Sequence, residues 1–150
     1  MVYNHKPSMY FHPYAIGEST PLFPFGYGLS YTTFAYDALT VDKTSVRAGD
    51  VLKVSVDVVN TGDRAGAEVV QLYIGDEQSS LPRPVKELKG FQKVSLNPGQ
   101  TQTVTFEITP GMLQYYDDAK GAWVAEPGAF TAYVGAASDD IRGTVEFELK

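Results

Sequence analysis

The chain has 150 residues, enough for one domain with its own apolar core, and carries a formal net charge of −6. It contains no cysteine, which excludes disulfides and thiolate metal sites, and its acidic surface without a lysine and arginine cluster argues against nucleic acid and anionic membranes. No apolar run approaches the roughly 20 residues that a membrane helix needs, and the N-terminus lacks the apolar stretch of a signal peptide.

Residues 1–33 are rich in aromatic residues and prolines and show no strand-like alternation. The stretch PLFPFGYGLSYTTF, residues 21–34, places five aromatic side chains among glycines and prolines. Left in water, these side chains would form the kind of apolar patch that marks an interface. Two alternatives stay open from the pattern: the segment lies on a separate partner surface, or it folds back on the outer face of the domain that follows.

From residue 34 onward the dominant period is two, which is typical of half-buried β-strands. FAYDALTVDKTSV is predicted as an opening strand, and VKELKGFQKVSL as one or two strands kinked at Gly90. AEVVQLYIGD places Val70, Leu72 and Ile74 on one face and Val69, Gln71 and Tyr73 on the other. The other residues predicted to share one face of their strands are Val54, Val56, Val58, Val104, Phe106, Ile108, Phe130, Ala132, Val134, Val145, Phe147 and Leu149.

Turn signals separate these strands. NTG at 60–62, NPG at 97–99 and EPG at 126–128 mark sharp connections. DAKG at 118–121 predicts a hairpin turn in which Gly121 supplies a positive φ. The only helical indication is one turn at 110–113. Seven or so short strands between turns predict an antiparallel β-sandwich.

Several motifs in order resemble glycoside hydrolase family 3. PLFPFGYGLSYTTF is similar to the junction that joins the catalytic domains of this family to a C-terminal fibronectin type III-like domain. VVNTGDRAGAEVVQLYI, PVKELKGFQKVSLNPGQTQTVTFEI and LQYYDDAKGAWVAEPGAFTAYVGAASDDIR look like successive stretches of that domain, and YNHKPS looks like the segment after the second catalytic domain. The resemblance covers nearly the whole chain and implies an all-β, immunoglobulin or fibronectin type III-like sandwich from a β-glucosidase or β-xylosidase type of enzyme.

The resemblance implies a division at residue 33. Residues 1–33 would be a linker that packs on the catalytic domains of the parent enzyme and stabilises them, and residues 34–150 the sandwich. Gly26 and Gly28 would permit close backbone approach and unusual φ. The parent would act on terminal β-D-glucosides or related β-glycosides, in the periplasm or outside the cell. The side chains expected at the interdomain contact are Tyr3, Tyr10, Phe11, Phe23, Phe25, Tyr27 and Tyr31.

No catalytic residue is predicted in the chain. Glycoside hydrolysis needs two carboxyl groups flanking the bond, and the resemblance implies that the catalytic aspartate and glutamate belong to the first two domains. The chain is therefore not expected to be an enzyme on its own, and no cofactor is implied. The pairs at 117–118 and 139–140 lack the spacing of a calcium loop, and His5 and His12 imply no third ligand, so no metal site is predicted.

Two other roles stay open. Tyr115, Tyr116 and Trp123 flank the predicted hairpin turn and could stack on sugar rings, which would make the domain a carbohydrate-binding module that contacts polysaccharide. The alternative is that Trp123 packs at the edge of the sandwich and the two tyrosines divide between core and surface. A third role is an oligomerisation interface of the parent enzyme.

Overall fold

The computed structural model describes residues 22–47, 49–81 and 83–150. Tyr3, His5, Tyr10, Phe11 and His12 lie outside the described residues. The strands are β1 (Phe34–Val41), β2 (Ser45–Val46), β3 (Leu52–Asn60), β4 (Gly66–Asp76), β5 (Glu87–Leu96), β6 (Thr101–Ile108), β7 (Tyr115–Asp117), β8 (Ala122–Val124), β9 (Gly128–Gly135) and β10 (Ile141–Leu149), with a 3-10 helix at Pro110–Leu113. In this part of the chain no helix is long and apolar enough to cross a membrane.

Two sheets stack face to face. One has the strand order β1-β3-β6, the other β2-β10-β9-β4-β5, and β7 and β8 form a separate hairpin. All pairings are antiparallel except the short parallel contact of β2 with β10. The predicted all-β sandwich is confirmed.

The core lies between the two sheets, where the alternating side chains meet. Val54 pairs with Phe106 and Val56 with Val104 across β3 and β6. Phe130 and Phe147 stack with ring centroids 5.7 Å apart. Of the residues predicted to share an inward face, all are buried except Val145, which is partly buried. The period of two therefore identified most of the core, which also contains Phe34, Val46, Leu52, Val94, Leu96 and Leu113.

Strand β4 differs from a simple alternating strand because both of its faces are covered. Val70, Leu72 and Ile74 face the core, but Gln71 and Tyr73 on the other face are also buried, at 4% and 2% exposure. Residues 25–26 cover one end of this outer face. The 83–86 segment crosses the other end, with the Lys86 ammonium 5.5 Å from the Tyr133 ring centroid.

The local turn predictions are also observed. Gly121 has φ +61° in the turn between β7 and β8, and the single helical turn lies at Pro110–Leu113. Region 87–96 is one strand, with a shift of register near Gly90 where it faces β4. A Cβ at Gly90 would lie 3.3 Å from the Phe106 ring, so glycine makes room for that core residue.

Candidate interface on the outer face of the five-stranded sheet

Residues 22–33, here called the aromatic segment, are fixed to the sandwich at two points. At the first point the Thr32 hydroxyl donates to Asn60 Oδ1 over 2.8 Å, and the Thr61 amide donates to the Thr33 carbonyl over 2.9 Å. A Cβ at Gly62 or Gly66 would overlap the Thr32 side chain. The loop between β3 and β4 therefore forms a notch that accepts this threonine.

At the first anchor point, both the nitrogen and the oxygen of the Asn60 side-chain amide have hydrogen-bond partners. Its Nδ2 donates to the Arg64 and Leu96 carbonyls over 2.9 Å each, and its Oδ1 accepts from Thr32 and from the Gly62 amide. The residue is fully buried. A buried amide with four partners ties the aromatic segment to the ends of β3 and β5.

The second anchor point lies on the outer face of β4. Gln71 Nε2 donates to the Gly26 carbonyl over 3.0 Å and to the Ala136 carbonyl. The Ser138 amide donates to the Phe25 carbonyl over 2.9 Å. Gly26 has φ +80°, and a Cβ there would overlap Gln71 Oε1, so the predicted close approach is observed at this glycine. Gly28 has open space around it and no positive φ.

The side chains of the aromatic segment point away from these anchors. Phe23, Phe25, Tyr27 and Tyr31 are exposed, and Tyr31 reaches 92% exposure. The rings of Phe23 and Tyr27 lie 5.2 Å apart at a tilt of 34°. The backbone of the aromatic segment thus lies on the sandwich, as one of the two alternatives predicted, while its aromatic rings are largely exposed. Packing on a separate partner surface stays a prediction.

A groove of about 660 Å³ separates the aromatic segment from β4 and β5. Its apolar lining includes Phe25, Tyr27, Leu29, Val69, Leu88 and Phe91. Phe91 is 69% exposed on the outer face of the sheet. An exposed apolar groove next to an exposed aromatic segment forms one continuous patch of the kind that marks an interaction surface.

Charged groups close one side of this groove. Glu68, Asp140 and Arg142 belong to its lining, and Arg142 donates to both carboxylate oxygens of Asp140 over 2.5 and 2.7 Å. Burial raises the pKa of Glu68, while the Val69 amide and the Arg142 charge oppose that change. The Arg142 guanidinium lies 5.7 Å from the centroid of the Tyr36 ring. The Tyr36 hydroxyl is buried without a hydrogen-bond partner among the described residues.

The opposite outer face, on the three-stranded sheet, is polar. Ser55 and Thr105 share a hydrogen bond of 2.9 Å, Thr103 donates to Asp57, and Lys53 pairs with Glu107 at 3.4 Å. Hydroxyls and charges of this kind are usual on a solvated sheet face. Among residues 22–47, 49–81 and 83–150, the apolar patch therefore lies on one side of the sandwich.

The β7–β8 hairpin carries a second group of exposed aromatics. Tyr116 and Trp123 form an edge-to-face pair with centroids 5.7 Å apart, at 49% and 66% exposure. Tyr115, in contrast, is buried. Its hydroxyl lies 3.2 Å from Ser80 Oγ, and the Arg83 guanidinium lies 5.2 Å from its ring centroid. Tyr115 presents no face to a ligand, which corrects its inclusion among the possible sugar contacts.

Polar contacts fix this hairpin to the rest of the domain. Ser80 donates to Glu126 from its hydroxyl over 2.6 Å and from its amide over 3.1 Å. These hydrogen bonds, with the Ser80 hydroxyl first, lower the pKa of Glu126 to about 2. Asp117 accepts from the Ala119 and Lys120 amides in the turn. The hairpin is thus held at its base and at its turn.

The acidic pairs have local partners. Asp117 contacts Lys120 Nζ at 3.1 Å, and Asp140 pairs with Arg142. Within residues 22–47, 49–81 and 83–150, no three histidine or acidic side chains gather in a way that could hold a metal ion.

Comparison with known proteins places this fold in a family. The sequence model of the fibronectin type III-like domain (Fn3-like) matches residues 68–138. Beta-glucosidase BoGH3A of Bacteroides ovatus is 56% identical over 128 residues, covering 85% of this chain and 17% of that protein. A beta-xylosidase of Formosa agariphila is 47% identical over 140 residues, covering 91% and 19%. The structure of a β-glucosidase from Erythrobacter marinus superposes with a TM-score of 0.87 at 47% identity, covering 99% of this chain and 19% of that one.

The domain is thus a fibronectin type III-like β-sandwich. More narrowly, the chain belongs to the fibronectin type III-like domains of glycoside hydrolase family 3 proteins. It spans less than a fifth of the length of these three relatives. The part of those proteins that it matches is the fibronectin type III-like domain.

Proposed function

We propose that this domain docks on the catalytic domains of a β-glycosidase through the aromatic segment and the adjoining groove, and that it stabilises those domains. The parent would hydrolyse terminal β-D-glucosides or related β-glycosides. The observation that carries the proposal is the combination of a fixed backbone with exposed rings: Gly26 and Thr32 are anchored to the sandwich, while Phe23, Phe25 and Tyr31 remain uncovered.

The choice of occupant follows from the relatives. More than four fifths of the length of each compared relative lies outside the matched region, so a large protein body is available to cover the patch. Residues 1–21 lead directly into Leu22 at the start of the aromatic segment. A partner joined through the same chain has a high effective concentration, so a contact of moderate area is sufficient for stable docking.

The physical gain is apolar burial at a low ordering cost. The anchors at Asn60 and Gln71 already hold the backbone, so docking has only the side chains left to order. Burial stabilises by about 25 cal/mol per Å² of apolar surface. Aromatic side chains supply the largest such surfaces.

The proposed division of the chain follows the same reasoning. Residues 34–150 form the sandwich, and residues 1–33 belong to the interdomain contact. Within that part, residues 22–33 would serve both sides, because their backbone is bonded to the sandwich while their rings face outward.

A chimaera tests the proposal. This chain replaces the matching segment of the Bacteroides ovatus β-glucosidase, and Phe25, Tyr27 and Tyr31 are changed together to serine. We expect KM for an aryl β-glucoside to stay unchanged, while the half-life of activity at raised temperature falls by roughly tenfold, the effect of about 1.4 kcal/mol on the rate of unfolding.

The matched control is Trp123→Ser in the same chimaera, since Trp123 is similarly exposed but lies on the hairpin. This change is expected to leave the half-life unaltered. A triple variant as durable as the unchanged chimaera would overturn the docking proposal.

A further inference from the structure

We propose that the exposed pair of Tyr116 and Trp123 is a binding site for the pyranose rings of β-linked glucan or xylan chains. The two rings are 49% and 66% exposed and meet edge to face at 5.7 Å. In this arrangement each ring keeps a face that its neighbour does not cover. The electron-rich face of an aromatic ring attracts the weakly positive C–H groups that line the flat face of a sugar.

The strand that carries Tyr116 is fixed by its buried side. The buried neighbours of Tyr116, Tyr115 and Asp117, point to the opposite side of the same strand β7. Below Tyr115, Arg83 forms a nearly buried ion pair with Asp76 at 2.9 Å. A rigid aromatic surface loses little conformational entropy when a ligand binds, so even a small contact area can give measurable affinity.

The turn that joins the two ring-bearing strands is polar. Asp118, Lys120 and Gly121 form the exposed turn between Tyr116 and Trp123, and the turn backbone is fixed by Asp117. A sugar has apolar faces and a rim of hydroxyls, so its recognition needs an apolar surface bordered by donors and acceptors. A dry protein contact would favour fewer charges beside its central aromatics.

The site is separate from the proposed interface. The aromatic segment is anchored at Gln71, whereas the hairpin is fixed near Asp76 through Arg83. The two positions are five residues apart along strand β4, a distance of roughly 17 Å. An oligosaccharide can therefore occupy the hairpin while the aromatic segment is covered.

The choice of sugar rests on the proposed function of the parent. Relatives of this chain are named β-glucosidases and a β-xylosidase. Glucose and xylose in β-linkage carry their hydroxyls equatorially, which leaves both faces of the ring flat and apolar. A galactose ring has an axial 4-hydroxyl that interrupts one of these faces.

The test uses the isolated 150-residue chain, so it does not depend on any catalytic domain. Trp123 is the single tryptophan, and its emission reports directly on the site. The chain is titrated with cellotetraose, xylotetraose and, as the control ligand, β-1,4-galactotetraose. We expect a saturable change with the first two sugars and at least roughly threefold weaker binding of the third.

Variants identify the site. Calorimetric titration of Trp123→Ala and Tyr116→Ala should show affinity lower by roughly tenfold, as for loss of a central aromatic contact. Phe91→Ala, which removes an equally exposed ring from the groove, should bind like the unchanged chain. Thermal melts of each variant verify that it is folded.

Three outcomes would overturn the site: no saturable response to either sugar, binding that Trp123→Ala leaves unchanged, or binding that Phe91→Ala abolishes. Loss of durability in the Trp123→Ser chimaera, without sugar binding by the isolated chain, would assign the hairpin to the interdomain contact instead. Failure of the triple serine variant to affect the chimaera, with sugar binding intact, would overturn the docking proposal alone.

Discussion

At the scale of single residues, the domain depends on two buried amides that lie in otherwise ordinary positions. Asn60 ends β3, and Gln71 occupies the outer face of β4, where the alternation predicts a solvent-exposed side chain. Each carries the hydrogen bonds that fix the aromatic segment. In each case the hydrogen-bond partner in the aromatic segment lies at least 28 residues away in the sequence.

We expect Asn60→Ala to lower the free energy of unfolding by about 2–4 kcal/mol, because it removes a buried hydrogen bond to the Leu96 carbonyl and three part-buried ones. Urea denaturation of the isolated chain measures this loss. Asn97→Ala is the matched control, since Asn97 is exposed in a turn, and it should change stability by less than about 0.5 kcal/mol. Equal losses in the two variants would contradict the role assigned to Asn60.

The two glycines of the aromatic segment are expected to respond differently to the same substitution. Gly26→Ala should cost about 1–3 kcal/mol, because alanine would be strained at φ +80° and its Cβ would displace Gln71. Gly28→Ala should stay within about 0.5 kcal/mol, since the position has open space. Denaturant titrations of the two variants decide the question, and a Gly28→Ala loss as large as that of Gly26→Ala would show that glycine is needed for another reason.

At the scale of elements, the sequence predicted what depends on local pattern. Alternation identified the inward faces of β3, β6 and β9, and the DAKG turn identified the β7–β8 hairpin with Gly121 at positive φ. The composition of residues 21–34 indicated a surface contact. The covering of Gln71 and Tyr73 could not be predicted, because it depends on where distant segments cross β4. The alternative in which the two tyrosines divide between core and surface is observed, with Tyr115 buried beside Arg83, 32 residues earlier.

The hairpin also makes the stability of the domain depend on pH. The Ser80 hydroxyl is the main cause that lowers the Glu126 pKa from 4.5 to about 2. A depressed carboxyl pKa contributes stability that is fully present above about pH 4.5 and is lost as the pH falls toward about 2. The unchanged chain should therefore lose more stability over this range than Ser80→Ala, which lacks the main donor.

Urea titrations at pH 7, 4 and 2.5 measure that difference. Ser79→Ala is the neighbouring control, because the buried Ser79 hydroxyl has no hydrogen-bond partner among the described residues. It should keep the pH dependence of the unchanged chain. If Ser80→Ala kept it as well, the Ser80 hydroxyl would not be what holds Glu126 ionised.

At the scale of the whole molecule, the sandwich has two unlike sides. The outer face of the three-stranded sheet carries hydrogen-bonded hydroxyls and ion pairs around Ser55 and Thr105. The outer face of the five-stranded sheet carries the groove and the aromatic segment. A domain built this way has one side suited to water and one suited to another protein surface; the docking proposal assigns that side to the catalytic domains, and the alternative is a second copy of the parent.

Self-association distinguishes these two partners. The isolated chain has an uncovered apolar patch, but its net charge of −6 keeps copies apart at low salt. Sedimentation velocity should therefore show a monomer in dilute buffer and a larger species at about 1 M salt, where the Debye length falls to about 3 Å. Changing Phe25 and Phe91 together to serine should remove the larger species, and Thr105→Ala on the polar face should not.

The chimaera separates the two partners. In the chimaera the catalytic domains would cover the patch, so association should disappear. A chimaera that still associates, and stops doing so when Phe25 and Phe91 are changed, would assign the patch to oligomerisation of the parent.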